Sequence, residues 1–214
     1  TKKIFERFYS RRDGQTTAQI VDQNLVVSEI EVWKSTTTST IDPLNERDAN
    51  CYIDLPAAGS SGVYDDTEYR GDIPSRYGSG EAVTGRFIKL VEGTDYIMHS
   101  ETGYITFKPS VQDNDILAVA YKTYGGSIYG EFISTAQNDE SKRLVLKLIK
   151  PKSLNPSDTK AWKLQLRNIY PVGGRSINQE GFEFYVRREI PGEDPVTQID
   201  NITLLKAFGI DNYD

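Results

Sequence analysis

FIKLVEGTDYIMHSETGYITFKPSVQDNDILAVAYKTY, residues 87–124, decides the fold class. Four short apolar runs are separated by turn-forming residues. Phe87-Ile88-Lys89-Leu90-Val91 reads as a strand, and Glu92-Gly93-Thr94-Asp95 as a turn. Tyr96-Ile97-Met98-His99 and Tyr104-Ile105-Thr106-Phe107 read as two strands joined by Ser100-Glu101-Thr102-Gly103, with glycine where a hairpin needs positive φ. Residues 109–115 form another turn, and Ile116-Leu117-Ala118-Val119-Ala120-Tyr121 a fourth strand. Strands at this spacing, rich in β-branched and aromatic residues, predict a small antiparallel unit.

The pattern continues on both sides. Upstream, residues 25–33 read as a strand: Ile30 and Val32 fall on one side, Glu29, Glu31 and Trp33 on the other. Trp33 is out of phase with its apolar neighbours, so it packs on a second surface or marks a contact. The polar stretch 35–50, with Pro43, reads as a loop, and Tyr52-Ile53-Asp54-Leu55 as a short strand stopped by Pro56 and Gly59. Residues 59–80 read as a long connecting loop, with glycines at 59, 62, 71, 78 and 80. Tyr64, Tyr69 and Tyr77 are spaced through it and can anchor it on a surface. Downstream, residues 143–149, 162–170 and 182–188 alternate apolar and polar side chains and read as half-buried strands. In the last two, Trp162, Phe182 and Phe184 are core or interface candidates. Residues 202–208 read as one short helix ended by Gly209.

These readings predict a mainly β protein of antiparallel, jelly-roll-like sandwich modules with one short C-terminal helix. Residues 1–62 form the first half of a sandwich and 63–82 a Gly/Tyr-rich connection. Residues 83–126 form a four-stranded insertion, 127–195 the second half of the sandwich, and 196–214 the helix and tail.

Composition narrows the function. Among 214 residues, 25 basic and 31 acidic side chains leave a net charge of −6, which argues against non-specific nucleic-acid binding. The mean hydropathy is −0.51, and no apolar run approaches the roughly 20 residues of a membrane helix. The first residues, TKKIFERFYSRRDGQ, carry no apolar core of a signal peptide and no initiating Met. The chain is therefore expected to be a piece of something longer. Cys51 and His99 are each the single residue of their type. That excludes an internal disulfide and a Cys/His zinc cage, and any histidine triad must run through His99.

Paired carboxylates occur at Asp65-Asp66, at Asp113 with Asp115, and at Asp211 with Asp214. Two carboxylates facing each other across a bond would suit glycoside hydrolysis, but acidic residues in turns are ordinarily turn-formers. Asp211-Asn212-Tyr213-Asp214 carries part of an oxygen-ligand calcium loop, making Asp211 and Asp214 candidate ligands. A frayed acidic terminus is the plainer reading. Val172-Gly173-Gly174-Arg175 reads as a turn between strands rather than a phosphate cradle, and the sequon Asn201-Ile202-Thr203 carries no weight. Cys51 reads as a small buried hydrophobe.

Three segments resemble one family in order and spacing. They are Glu29-Ile30-Glu31-Val32-Trp33 with Tyr52-Ile53-Asp54-Leu55; Val91-Glu92-Gly93-Thr94-Asp95-Tyr96 with Gly103-Tyr104-Ile105 and residues 115–121; and Trp162, Asn168-Ile169-Tyr170, Glu180-Gly181-Phe182 with Leu204-Leu205 and Phe208-Gly209-Ile210-Asp211. The family is the SprA/Sov type, the very large outer-membrane translocon protein of type 9 secretion, tied to gliding motility in Bacteroidetes and their relatives. The resemblance spans residues 25–214. It departs in the Tyr-rich loop 59–80 and in Phe208-Gly209-Ile210-Asp211-Asn212-Tyr213.

The resemblance implies a non-enzymatic structural and interaction module without a cofactor, calcium aside. It implies a soluble domain associated with the outer membrane, on the periplasmic or extracellular side. The implied partners are other type 9 secretion components, secreted cargo and the rest of a parent barrel, with no nucleic acid and no small-molecule substrate. The rival reading is a carbohydrate-binding sandwich of a cell-surface protein, with Trp33, Tyr64, Tyr69 and Tyr77 as an exposed aromatic platform. A second rival, a glycoside or peptide hydrolase, needs two converging acids with one pKa raised.

Overall fold

In the computed structural model the described residues are 16, 21–37, 45–59, 61–136, 141–166, 178 and 180–208. The protein is mainly β, with four single-turn helices among these residues. The chain divides into two compact units, Thr1–Arg167 and Asn168–Asp214.

Unit 1 is built on β1 (Val27–Ser35), β2 (Glu46–Tyr52), β3 (Ala82–Lys89), β6 (Leu117–Thr123) and β8 (Leu144–Lys150). Hydrogen-bonded neighbours run β1-β3-β2-β8-β6, and β6 pairs back onto β1, so the five strands close into a barrel. The β2–β8 pair is parallel and the other pairs are antiparallel. β7 (Ile128–Tyr129) extends the edge of β6 beyond the point where β8 leaves it. The mainly β expectation holds. The two-sheet sandwich does not describe unit 1, because β1 and β6 join through seven residue pairs from Val27↔Thr123 to Lys34↔Leu117. Closing the sheet removes the free edges that a sandwich keeps. Residues 83–126 also form no separate module: β3 and β6 are barrel staves, and only the hairpin between them stands apart.

Side chains alternate across the barrel wall. Trp33, Ala49, Cys51, Phe87, Ala118, Ala120, Leu144, Leu146 and Leu148 form one buried cluster, the barrel interior. Each leucine contributes about 1.5–3 kcal/mol by burial. Small residues face large ones there, as a narrow barrel requires. Cys51 is fully buried in this cluster, and burial pushes its thiol well above the ordinary range. Gly130 shows how tightly the chain crosses the wall. Its φ is +78°, and a Cβ there would lie 2.7 Å from Val119 O and 2.9 Å from Ala120 Cα.

Two covers lie on the outer wall. Strands β4 (Tyr96–His99) and β5 (Tyr104–Phe107) form the hairpin read from sequence. Tyr96, Met98, Ile105 and Phe107 pack with Val32, Val119 and Ile149 of the wall. The second cover is the strap, residues 61–80, whose tyrosines join Tyr52, Leu55 and Val145.

Three strand expectations are corrected. The polar stretch ending at Asn50 is strand from Glu46 onward, and the strand expected at 52–55 ends at Tyr52. Glu46 is buried there because Arg86 Nε donates to its Oε1 at 2.7 Å. The strand expected from 162 is instead the helix Thr159–Trp162 followed by a turn. The strand expected at 182–188 is reduced to an isolated bridge between Arg188 and Val196 among the described residues, and Phe182 and Phe184 are 48% and 45% exposed rather than core.

Unit 2 holds β9 (Gln198–Ile199) and β10 (Ile202–Thr203), followed by the helix Leu204–Ala207. Thr203 caps that helix by accepting from Lys206 N at 3.3 Å. The helix expected at 202–208 is therefore present, but it starts two residues later.

Candidate functional site

The densest buried polar constellation of unit 1 centres on Glu131, where the strap meets the barrel. Glu131 follows Gly130 and is 1% exposed. Four donors converge on its carboxylate. Tyr64 N donates to Oε1 at 3.0 Å and Val145 N to Oε2 at 2.9 Å. Arg70 donates through Nη2 to Oε1 at 2.6 Å and through Nη1 to Oε2 at 2.7 Å, a two-pronged pair. A carboxylate this deep needs such a full set, because an unpaired buried charge costs several kcal/mol.

Arg70 is placed by the strap's single helical turn, Asp66–Tyr69. Asp65 caps that turn, accepting from Thr67 N at 2.9 Å and Glu68 N at 3.1 Å. The Thr67 hydroxyl, then these amides, hold the Asp65 carboxyl below its ordinary range. Asp66 lies one turn before Arg70 and accepts from its Nε at 2.5 Å and from Lys142 Nζ at 2.5 Å. Lys142, then Arg70, hold its carboxyl low. Arg70 Nη1 also donates to Arg143 O at 2.6 Å.

Beside this pair, Asn50 is fully buried on the outer face of β2. Its amide nitrogen donates to Tyr69 O at 2.9 Å and Gly71 O at 2.7 Å, and its oxygen accepts from the Thr84 hydroxyl at 2.9 Å. Tyr52 OH also donates to Tyr69 O, at 3.0 Å. Four tyrosine rings then meet in a chain: Tyr64 to Tyr69 at 5.2 Å and Tyr69 to Tyr52 at 5.5 Å edge to face, and Tyr52 to Tyr77 at 5.0 Å with tilted rings. Tyr64 OH donates to Pro56 O at 2.7 Å and accepts from Gly130 N at 3.1 Å. Burial pushes that phenol up to about 12.

The expected aromatic platform is corrected by this geometry. Tyr64, Tyr69 and Tyr77 are brought together, but against Tyr52 and the wall rather than as an exposed surface. Tyr64 is 6% exposed, and Tyr69 and Tyr77 are half-buried. Trp33 is separated from them on the inner side of the wall, fully buried. Its out-of-phase position meant a second packed surface, the barrel interior.

Three of the expected acids, Asp65, Asp66 and Asp115, have engaged carboxylates. Asp65 and Asp66 serve the strap, and both are pulled low. Asp115 accepts from Gln112 N at 2.8 Å, and Lys150 Nζ donates to the carbonyls of Asp113 and Asp115 at 2.9 and 2.7 Å. One carboxyl is pushed up: burial raises Glu31 near the barrel mouth, against the Ile133 amide at 3.0 Å and Lys89 at 3.8 Å. These contacts hold the helix Ile133–Ala136 to β1, and the Glu29 carboxylate on the same strand adds a smaller upward push. Asp211 and Asp214 lie outside the described residues. Among the described residues no group of three or more His, Cys, Asp or Glu is arranged to hold a metal ion.

A concavity of about 240 Å³ lies where the strap ends. Gly78, Gly80 and Glu81 line one side, and Asp158, Thr159 and Lys160 the other. Lys160 spans it, pairing with Asp54 and with Glu81 at 2.6 Å.

Sequence reasoning missed Glu131, Arg70 and Asn50. Only Glu131 left a signal, as the one charge inside Ile128-Tyr129-Gly130-Glu131-Phe132-Ile133. No protein-family model matches the chain, and no curated protein matches it.

Proposed function

We propose that the chain is a non-enzymatic structural and interaction module, serving an outer-membrane protein-secretion translocon of the type 9, gliding-motility kind. Its partners would be other secretion components, cargo in transit and the rest of a parent barrel. It would act as a soluble region on the periplasmic or extracellular side of the outer membrane. The observation that supports a structural role is the use made of Glu131. This buried carboxylate is saturated by two backbone amides and a guanidinium that hold a loop to a wall. A group committed to four donors is poorly placed for acid–base work. The secretion context rests on the sequence resemblance over residues 25–214.

The test is affinity capture of the full-length parent, tagged within this region, from native outer membranes, followed by mass spectrometry. Recovery of type 9 secretion components with trapped cargo is expected. A capture free of them, together with glycan-array binding by this chain, overturns the proposal in favour of a surface carbohydrate-binding protein.

A further inference from the structure

We infer that the strap, residues 61–80, is a latched cover that opens as a unit while the barrel beneath it stays folded, with Arg70–Glu131 as the latch. Three observations carry this. First, no ladder bond joins the strap to a barrel strand among the described residues. It is held by side-chain bonds: Asn50 and Tyr52 to the carbonyls of Tyr69 and Gly71, Arg70 to Glu131, and Tyr64 N to Glu131. Second, the apolar surface it covers is that of Tyr52, Leu55 and Val145, against which its own Tyr64 packs in a small cluster separate from the barrel interior. Third, glycines with positive φ flank it, Gly62 at +69° and Gly80 at +78°.

The energetics follow from the kind of contact. Opening returns Arg70, Glu131, Asn50 and the strap carbonyls to water, so most of the lost bonds are replaced. A buried ion pair adds little net stability over its hydrated ions, yet removing one partner alone is costly. The wall loses no ladder bond. Opening uncovers the β2–β8 seam, the parallel pair of the barrel, with the Asn50 amide, the Tyr52 hydroxyl and the Glu131 carboxylate facing solvent.

Amide hydrogen exchange of the full chain across a series of low denaturant concentrations tests this. The Tyr64 and Arg70 amides are expected to exchange with one shared, shallow denaturant dependence, the mark of a unit whose opening exposes less surface than global unfolding. Amides of β1 and β6 are expected to respond steeply. Arg70→Ala should speed the strap amides about tenfold or more and leave β1 and β6 unchanged. Strap and barrel amides sharing one denaturant dependence in the unsubstituted protein would overturn the inference, and that measurement stands even if Arg70→Ala does not fold. Equal acceleration of both sets in Arg70→Ala, or none in the strap, would overturn it as well.

Discussion

The hairpin β4–β5 covers β1 and β6 with Tyr96, Met98, Ile105 and Phe107, whereas the strap covers β2 and β8 with tyrosines threaded by polar bonds. The hairpin is regular: four residue pairs from Tyr96↔Phe107 to His99↔Tyr104, with alternate side chains turned to the wall. Its solvent face carries a small cluster of its own, His99 stacked on Tyr104 at 4.0 Å and bonded to Thr106 at 3.2 Å. The strap has one helical turn, and its carbonyls are satisfied by side chains reaching from the wall. One cover is held by apolar area, which is non-directional and tolerant of small errors. The other is held by directional bonds that must all be made at once.

The largest expected effect strikes the strap. Glu131→Ala leaves the Arg70 guanidinium and the Tyr64 and Val145 amides without their acceptor, at a cost of about 3–5 kcal/mol. Chemical denaturation should show a large fall in midpoint. Replacing Arg70 and Glu131 together by apolar residues of similar volume should recover most of it. Failure of that recovery would mean the pair is more than a mutual neutralisation.

Ile105→Ala sharpens the contrast from the other side. It should cost about 2 kcal/mol through lost packing and raise exchange at the β4–β5 amides while the strap stays protected. Asn50→Ala should cost about 1–3 kcal/mol, because the Gly71 carbonyl and the Thr84 hydroxyl lose the Asn50 amide and the Tyr69 carbonyl is left to Tyr52 OH. Its signature is strap exchange with an intact hairpin.

Acid should separate the covers next. Asp65, Asp66 and Glu81 at the strap are held low by Thr67, Lys142 with Arg70, and Lys160. Their folded pKa values lie below the ordinary 3.8 of aspartate and 4.5 of glutamate. The stability they contribute is therefore present above those values and lost as pH falls through the folded ones. Glu31 in the wall has the opposite sign. Its carboxyl is raised above 4.5 by burial, so protonation relieves a penalty as pH falls through its folded value. Protection factors, taken relative to the intrinsic exchange rate at each pH on going from pH 5 toward pH 3, where strap acids lose charge, should fall in the strap before β1. The reverse order would break the comparison. The smallest effect belongs to Lys142→Ala. It removes an exposed partner of Asp66 and should leave the thermal midpoint within error.

The hairpin was legible because its information is local. Residues 96–107 alternate, and Gly103 stands at the turn with φ of +72°, so period and turn chemistry agree. The strap announced only its tyrosines. Their anchoring role was readable, but the anchor points were not, because Asn50, Tyr52 and Glu131 lie 17–67 residues away along the chain. β2 was half missed for the same reason. Glu46-Arg47-Asp48-Ala49-Asn50 reads as polar loop until Arg86 and the strap supply partners. At residues 182–187 the error ran the other way, since alternation was present but no strand pairs with it among the described residues.

Local order is what the sequence determined by itself: a mainly β chain, the hairpin with its two strands and turn, a strand read at 143–149 and found at Leu144–Lys150, and a helical turn near 204. Backbone geometry and short-range periodicity suffice for these. Tertiary structure alone decided that the sheet closes into a barrel, that Trp33 faces inward, and that the tyrosines pack against the wall rather than being displayed. Closure depends on β1 finding β6 some 90 residues later, and burial of a polar side chain depends on which distant donors reach it. Neither leaves a periodic trace in the chain, because both are properties of pairs brought together only by the fold.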